Sequence, residues 1–295
     1  MIRHLTFFLF LGWCLIGCID TVDPDELLDV GEKTYIQSYL SPSDTVITVY
    51  VSKALPAVGT PLSFDNPESG FESFVIEDAQ VVISDESENE ILLPYDTETL
   101  SYRVDATEFP IREEADYFLN VSVNGRNYSA SCSIPKKVSE LTGTFTERPS
   151  GDGFSEVELN VAFDDLAGES NFYVVGAQVT VEREEESFSF PLDFELDRFV
   201  SDANADGLTL GASTLYGFVD SNQEQEAVSL TLQVANVGED LFQNLRTSYL
   251  NDFNDGNPFV EYSIAPNNIV GEDGVGVFAG YQLTEQEITY NPNDI

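Results

Sequence analysis

The chain has 295 residues, 42% hydrophobic and 12% aromatic, enough to bury one large core or two ordinary ones. Its 53 Asp and Glu stand against 12 Lys and Arg, a net charge of −41. That balance excludes a nucleic-acid binder, which needs cations to neutralise phosphates, and charge-driven docking on anionic lipid. The apolar content excludes a disordered acidic tail.

At the N-terminus, Arg3 and His4 precede an apolar run from Leu5 to Ile16, broken by Thr6 and Gly12. A bilayer span takes about 20 residues, so this run is too short and has the form of a signal-peptide core. It ends Leu15-Ile16-Gly17-Cys18, which resembles the lipobox of bacterial lipoproteins. That motif implies diacylglyceryl transfer to the Cys18 sulfur and cleavage before Cys18. Residues 1–17 are then a lipoprotein signal, and their removal takes Arg3 and brings the net charge to −42. Residues 18–33 form an acidic tether with a flexible reach of roughly 20 Å. Ile19 follows the cysteine where an inner-membrane retention signal would have Asp, which favours the outer membrane. Asp20, Asp23, Asp25 and Glu26 resemble the export tags of surface-exposed lipoproteins.

Cysteine and histidine usage removes whole mechanisms. Once Cys14 leaves and Cys18 is acylated, Cys132 stands alone and no intramolecular disulfide forms. Cys132 lies in a strand-like run, Tyr128 to Ile134, and reads as a small buried hydrophobe. The single histidine, His4, also leaves. Ser-His-Asp and Cys-His catalysis, His-ligated zinc and histidine general bases are therefore excluded, and no enzyme is expected. Paired-carboxylate chemistry survives, so a glycan hydrolase is the remaining catalytic alternative.

The body reads as mainly β. Strand-like segments follow in order at Thr34–Leu40, Thr45–Lys53, Gln80–Ser84 and Tyr117–Val123. In the last, Tyr117, Leu119, Val121 and Val123 share one face. Asn124-Gly125 marks a hairpin turn into the next run, since both residues tolerate positive φ. A boundary falls at Pro135-Lys136-Lys137. Residues 34–136 read as an immunoglobulin-like Greek-key sandwich, and residues 137–295 as a larger β-rich domain with one helix. In the second part Val157, Leu159, Val161 and Phe163 alternate, Phe172–Arg183 is strand-like, and Val228, Leu230, Leu232 and Val234 alternate. A helix is predicted over Glu239–Leu250: Leu241, Phe242, Leu245 and Tyr249 share a face, and Glu239 and Asp240 suit its positive end. A last strand is predicted over Gly276–Leu283.

Two acidic turns invite a cation. Asp202-Ala203-Asn204-Ala205-Asp206-Gly207 is a D-x-N-x-D-G run, the alternate oxygens and following glycine with which a calcium loop wraps a hard ion. Its twelfth position is Ser213, where a full EF-hand needs Glu, so calcium through Asp202, Asn204 and Asp206 competes with a self-capped acidic turn. Asp252–Asn257 is a weaker version, better explained as a helix exit. The Gly271–Gly280 stretch lacks Gly-Lys-Ser/Thr and carries two acids, so it is a turn feeding a strand rather than a nucleotide loop.

Asn257-Pro258-Phe259, Asn268-Ile269-Val270-Gly271 and Gly276-Val277-Phe278-Ala279-Gly280-Tyr281 resemble the ending of a lipoprotein family, domain of unknown function 4249. Cys18, Tyr39-Leu40, Ile47-Thr48-Val49 leading to Ser52-Lys53, and Ala79-Gln80-Val81-Val82-Ile83 are similar to its N-terminal half. The chain departs from the pattern in reading Gly271-Glu272-Asp273-Gly274 where a shorter Gly-Gly pair is usual. The resemblance implies an outer-membrane lipoprotein of Bacteroidota, from genes often near TonB-dependent receptors, and carries no catalytic residue over. The expected function is a non-catalytic binding or accessory subunit, held to the membrane by its N-terminal lipid and working beside a TonB-dependent receptor. The alternative from the acids is a structural or adhesive surface protein that binds divalent cations. Calcium aside, no cofactor is expected.

Overall fold

The computed structural model describes residues 33–54, 71–151, 154–183, 186–220, 227–255, 257, 259–261 and 263–291. The predicted lipidation site Cys18 and the predicted tether as far as residue 32 lie outside the described residues. The first half contains β1 (Lys33–Leu40), β2 (Val46–Ala54), β3 (Gln80–Asp85), β4 (Glu90–Leu93), β5 (Tyr95–Asp96), β6 (Ser101–Asp105), β7 (Asp116–Val123) and β8 (Arg126–Ser133). One sheet carries β1-β2-β6-β5 and the other β4-β3-β7-β8. Three full strands against four, with β1, β2 and β6 facing the β3-β7 hairpin sheet, is an immunoglobulin-like sandwich.

Period-two burial explains the pairing. Ile36, Leu40, Val49, Ile83, Leu119 and Val121 point inward into one core, while their neighbours face outward. Tyr117, at the start of β7, accepts the Arg112 N–H at 2.8 Å through its hydroxyl. It thereby pins the preceding loop, as the tyrosine corner of such sandwiches does.

The second half contains β9 (Leu141–Gly151), β10 (Phe154–Asp164), β11 (Phe172–Arg183), β12 (Glu186–Pro191), β13 (Phe199–Ser201), β14 (Thr209–Asp220), β15 (Val228–Val237), α1 (Glu239–Phe253) and β16 (Gly274–Tyr290). The three-stranded sheet β14-β10-β9 lies against β11, β15 and the second half of β16. Leu159, Val161, Val175, Leu230 and Leu232 fill the space between. The fold is mainly β, as the alternation implies.

β16 joins the halves. Gly274–Gly280 run parallel to β1, and Tyr281–Tyr290 run antiparallel to β15. One nine-stranded sheet therefore passes through both sandwiches. At about 3.3 Å per residue the strand is roughly 55 Å long. Ile269 and Phe278, late in the chain, belong to the first core, and Tyr290 to the second. Gly276 adopts φ +132°, and a Cβ there would sit 1.9 Å from the Ile36 carbonyl oxygen. Only glycine lets β16 approach β1 here. On the other edge, the Asn268 amide accepts the Phe278 N–H at 3.0 Å and donates to the Phe278 carbonyl at 2.8 Å, standing in for a neighbouring strand.

The helix packs Leu241 and Phe242 onto Val237, Val277 and Ala279 on the outer side of that sheet. Tyr249 lies against Phe199, with the Arg198 guanidinium 5.0 Å from its ring centre. The helix runs three residues beyond the predicted Leu250. Its exit is closed by the Asn254 N–H on the Leu250 carbonyl at 3.1 Å.

Candidate functional site

The acidic turn predicted around Asp202 is the connection from β13 to β14. It folds against the connection from β10 to β11. Asp165, the first residue after β10, is buried there, and one carboxylate oxygen from each of Asp165, Asp202 and Asp206 lies within 4.8 Å of the others. Asn204 is exposed on the same turn.

Each acid is held by the opposite loop. Asp165 accepts the Tyr173 hydroxyl at 2.5 Å and the Gly207 N–H at 2.7 Å, and its own N–H donates to the Leu208 carbonyl at 3.0 Å. Asp202 accepts the Asn171 N–H at 2.9 Å, and Asp206 accepts the Gly168 N–H at 2.7 Å. Gly168 and Gly207 have φ +100° and +68°, left-handed conformations that suit glycine and turn their N–H groups toward the carboxylates. The Asn171 side chain donates to the Leu166 and Glu169 carbonyls, and Asn236 donates to the Asn171 side-chain oxygen at 3.2 Å. Asn236 also donates to the Lys136 carbonyl at 3.0 Å, which ties the loop to the connection between the sandwiches.

Burial first, and the hydrogen bond to Asp165 second, push the Tyr173 hydroxyl well above its ordinary pKa. It stays a donor to the carboxylate at any physiological pH. Chemically, the arrangement offers hard oxygen atoms from three carboxylates. A calcium ion about 2.3–2.6 Å from each ligand would hold such oxygens no more than about 5 Å apart, which the observed spacing meets.

Asp165 does not stand out in the sequence. The one signal is an Asp164-Asp165 pair closing an alternating strand, and the spatial pairing of residue 165 with 202–207 is long-range. Cys132 is largely buried against the first core, and burial pushes its thiol far above the ordinary value. The glycine stretch does as expected of a turn: Gly271 and Gly274 press on the Tyr128 ring, leaving no space for a side chain.

The fold and the acid cluster define a double β-sandwich protein in which one strand joins the halves and an acidic loop pair of the second half is tied through Asn236 to the connection between them. The family model described as Domain of unknown function (DUF4249) matches residues 19–287, and the chain belongs to that family. Among curated proteins none matches it.

Proposed function

We propose that the protein is an outer-membrane-anchored lipoprotein acting as a non-catalytic binding or accessory subunit, working beside a TonB-dependent transporter in nutrient uptake. The observation that carries this reading is the apolar run ending Leu15-Ile16-Gly17-Cys18. The family match begins at residue 19, directly after the acylation site, which supports it. Acyl chains contribute about 0.8 kcal/mol per buried CH₂, enough for several chains together to hold an anionic body that lipid headgroups repel. β1 enters at the end of the first sandwich away from the second, since Thr34 pairs with Gly274 and Leu40 with Gly280. The second sandwich, with its acid cluster, then projects away from the tether.

Two measurements test this. Mass spectrometry of the N-terminal peptide from native membranes should show Cys18 at the N-terminus carrying acyl groups; an unmodified thiol there removes the anchor. Affinity purification from those membranes should enrich a β-barrel transporter above other lipoproteins, and no enrichment removes the accessory role.

The Asp165, Asp202 and Asp206 cluster favours a second reading, a surface protein whose acids bind divalent cations. Calcium should then raise the melting temperature beyond an equal ionic strength of NaCl, and Asp206→Asn should abolish the difference. A melting curve that calcium does not move eliminates this reading.

A further inference from the structure

Two cavities, of about 430 and 630 Å³, meet at Asp116, Ser133, Gly238 and Glu239 to form one groove. One wall is the outer face of β7 and β8, and the other is the first turn of α1. We infer that this groove binds an organic cation, an ammonium or guanidinium group on a small apolar body. The inference goes beyond the anchored-subunit reading and holds with or without the lipid.

Three features carry it. First, the groove is concave, lies between two packed units and has the volume of a small-molecule site. Second, Glu114, Asp116, Glu169, Glu239 and Asp240 line it against Lys136 alone, and Lys136 is already 2.9 Å from Glu114. The positive end of the α1 dipole is answered by Glu239 and Asp240 in its own first turn. Third, the wall offers an acceptor and an apolar plate side by side. Ser129 of β8 exchanges hydrogen bonds with Val270 at 2.8 and 2.7 Å, so its N–H and C=O face away from β7. Two residues on, Ser131 points its carbonyl the same way. The bridge to Val270 is isolated, so no strand among the described residues covers Ser131. Phe118 pairs with Ser131 across the ladder and is 40% exposed. A cation would donate to the Ser131 carbonyl and the carboxylates while its body lies on the Phe118 ring, a contact whose quadrupole also favours positive charge.

Acid lining alone does not select this groove, because a third cavity of about 410 Å³ carries Glu156, Glu158, Asp193, Glu195 and Asp197 with Arg148. That cavity supplies the control. Isothermal titration of the mature chain with benzylammonium should show saturable binding, while benzyl alcohol and benzoate should bind at least about tenfold more weakly. Asp116→Asn/Glu239→Gln should weaken benzylammonium about tenfold, and Glu156→Gln/Glu195→Gln should leave it unchanged. If Asp116→Asn disturbs folding through its bond to Ser133, Glu169→Gln/Glu239→Gln, both at exposed positions, replaces it. Equal weakening by the groove and control variants would mean attraction to net charge only and would overturn the inference, as would equal binding of benzyl alcohol.

Discussion

Replacing Asp165 by Asn should destabilise the second sandwich although it changes one atom. The carboxylate is an acceptor only, and it takes two donors, the Tyr173 hydroxyl at 2.5 Å and the Gly207 N–H at 2.7 Å. The amide has one acceptor. If its oxygen faces Gly207, its NH₂ faces the Tyr173 oxygen, which already accepts the Leu166 N–H at 3.3 Å, and the tyrosine proton loses its acceptor. If the amide is turned over, two N–H groups face each other at Gly207. Tyr173 has no exposed surface, so water does not replace the acceptor that its proton loses in the first arrangement. An orphaned buried donor costs about 1–3 kcal/mol. For a chain of this size that is about 2–4 °C of melting temperature per kcal/mol. Urea unfolding followed by circular dichroism measures it. Tyr173→Phe removes the same bond from the other side, and the double variant should cost about 1 kcal/mol less than the sum of the singles. An Asp165→Asn variant within about 0.5 kcal/mol of the parent, or a strictly additive double variant, would refute the assignment of Asp165 as a two-donor acceptor.

Four further outcomes are expected. Gly276→Ala should be among the most damaging single changes, because its Cβ meets the Ile36 backbone and its φ is left-handed; a loss of about 3 kcal/mol or more in urea unfolding is expected, and a neutral result would contradict the close strand approach. Cys132 should resist iodoacetamide at pH 8 in the native state and react only as urea unfolds the chain, since burial holds its thiol protonated; fast native labelling would contradict that. Burial raises the Asp44 carboxyl above its ordinary value, with its bonds to Tyr281 and Ser41 opposing. A carboxyl raised in the folded state contributes stability below its unfolded pKa and loses it as pH rises through the raised value. Asp44→Asn should therefore remove a fall in melting temperature that sets in as pH rises above the ordinary aspartate value of about 4, and parallel curves for parent and variant would count against it. Lowering salt should lower the melting temperature through self-repulsion of the acids, checked by melting at low and high NaCl.

The sequence made legible the strands that bury one face. β7 and β10 alternate because one side of each meets a core and the other meets water. α1 was legible for the same reason, through Leu241, Phe242, Leu245 and Tyr249. β12 and β14 were not. Their runs of Ser, Thr, Gly and exposed Phe carry little hydrophobic period, because they are sheet edges with partial cover. Within the acid cluster, Asp202 and Asp206 stood out by local spacing. Asp165 did not, since its partners come from a turn some 40 residues later. The double use of β16 was likewise hidden: Val277, Phe278 and Ala279 are all buried, Phe278 in the first core and the other two under α1, so its first part carries no alternation, and nothing local says that its partner changes at Tyr281.

The shared strand bears on how the molecule is made. Thr34 waits for Gly274, some 240 residues later, before its hydrogen-bond ladder is complete. A chain emerging from the ribosome presents β1 first and supplies its neighbour last, so neither sandwich can finish until almost the entire polypeptide is free. Such distant closure predicts slow folding and an exposed strand edge in the interim. A truncation before residue 274 would therefore leave both halves unfinished at once.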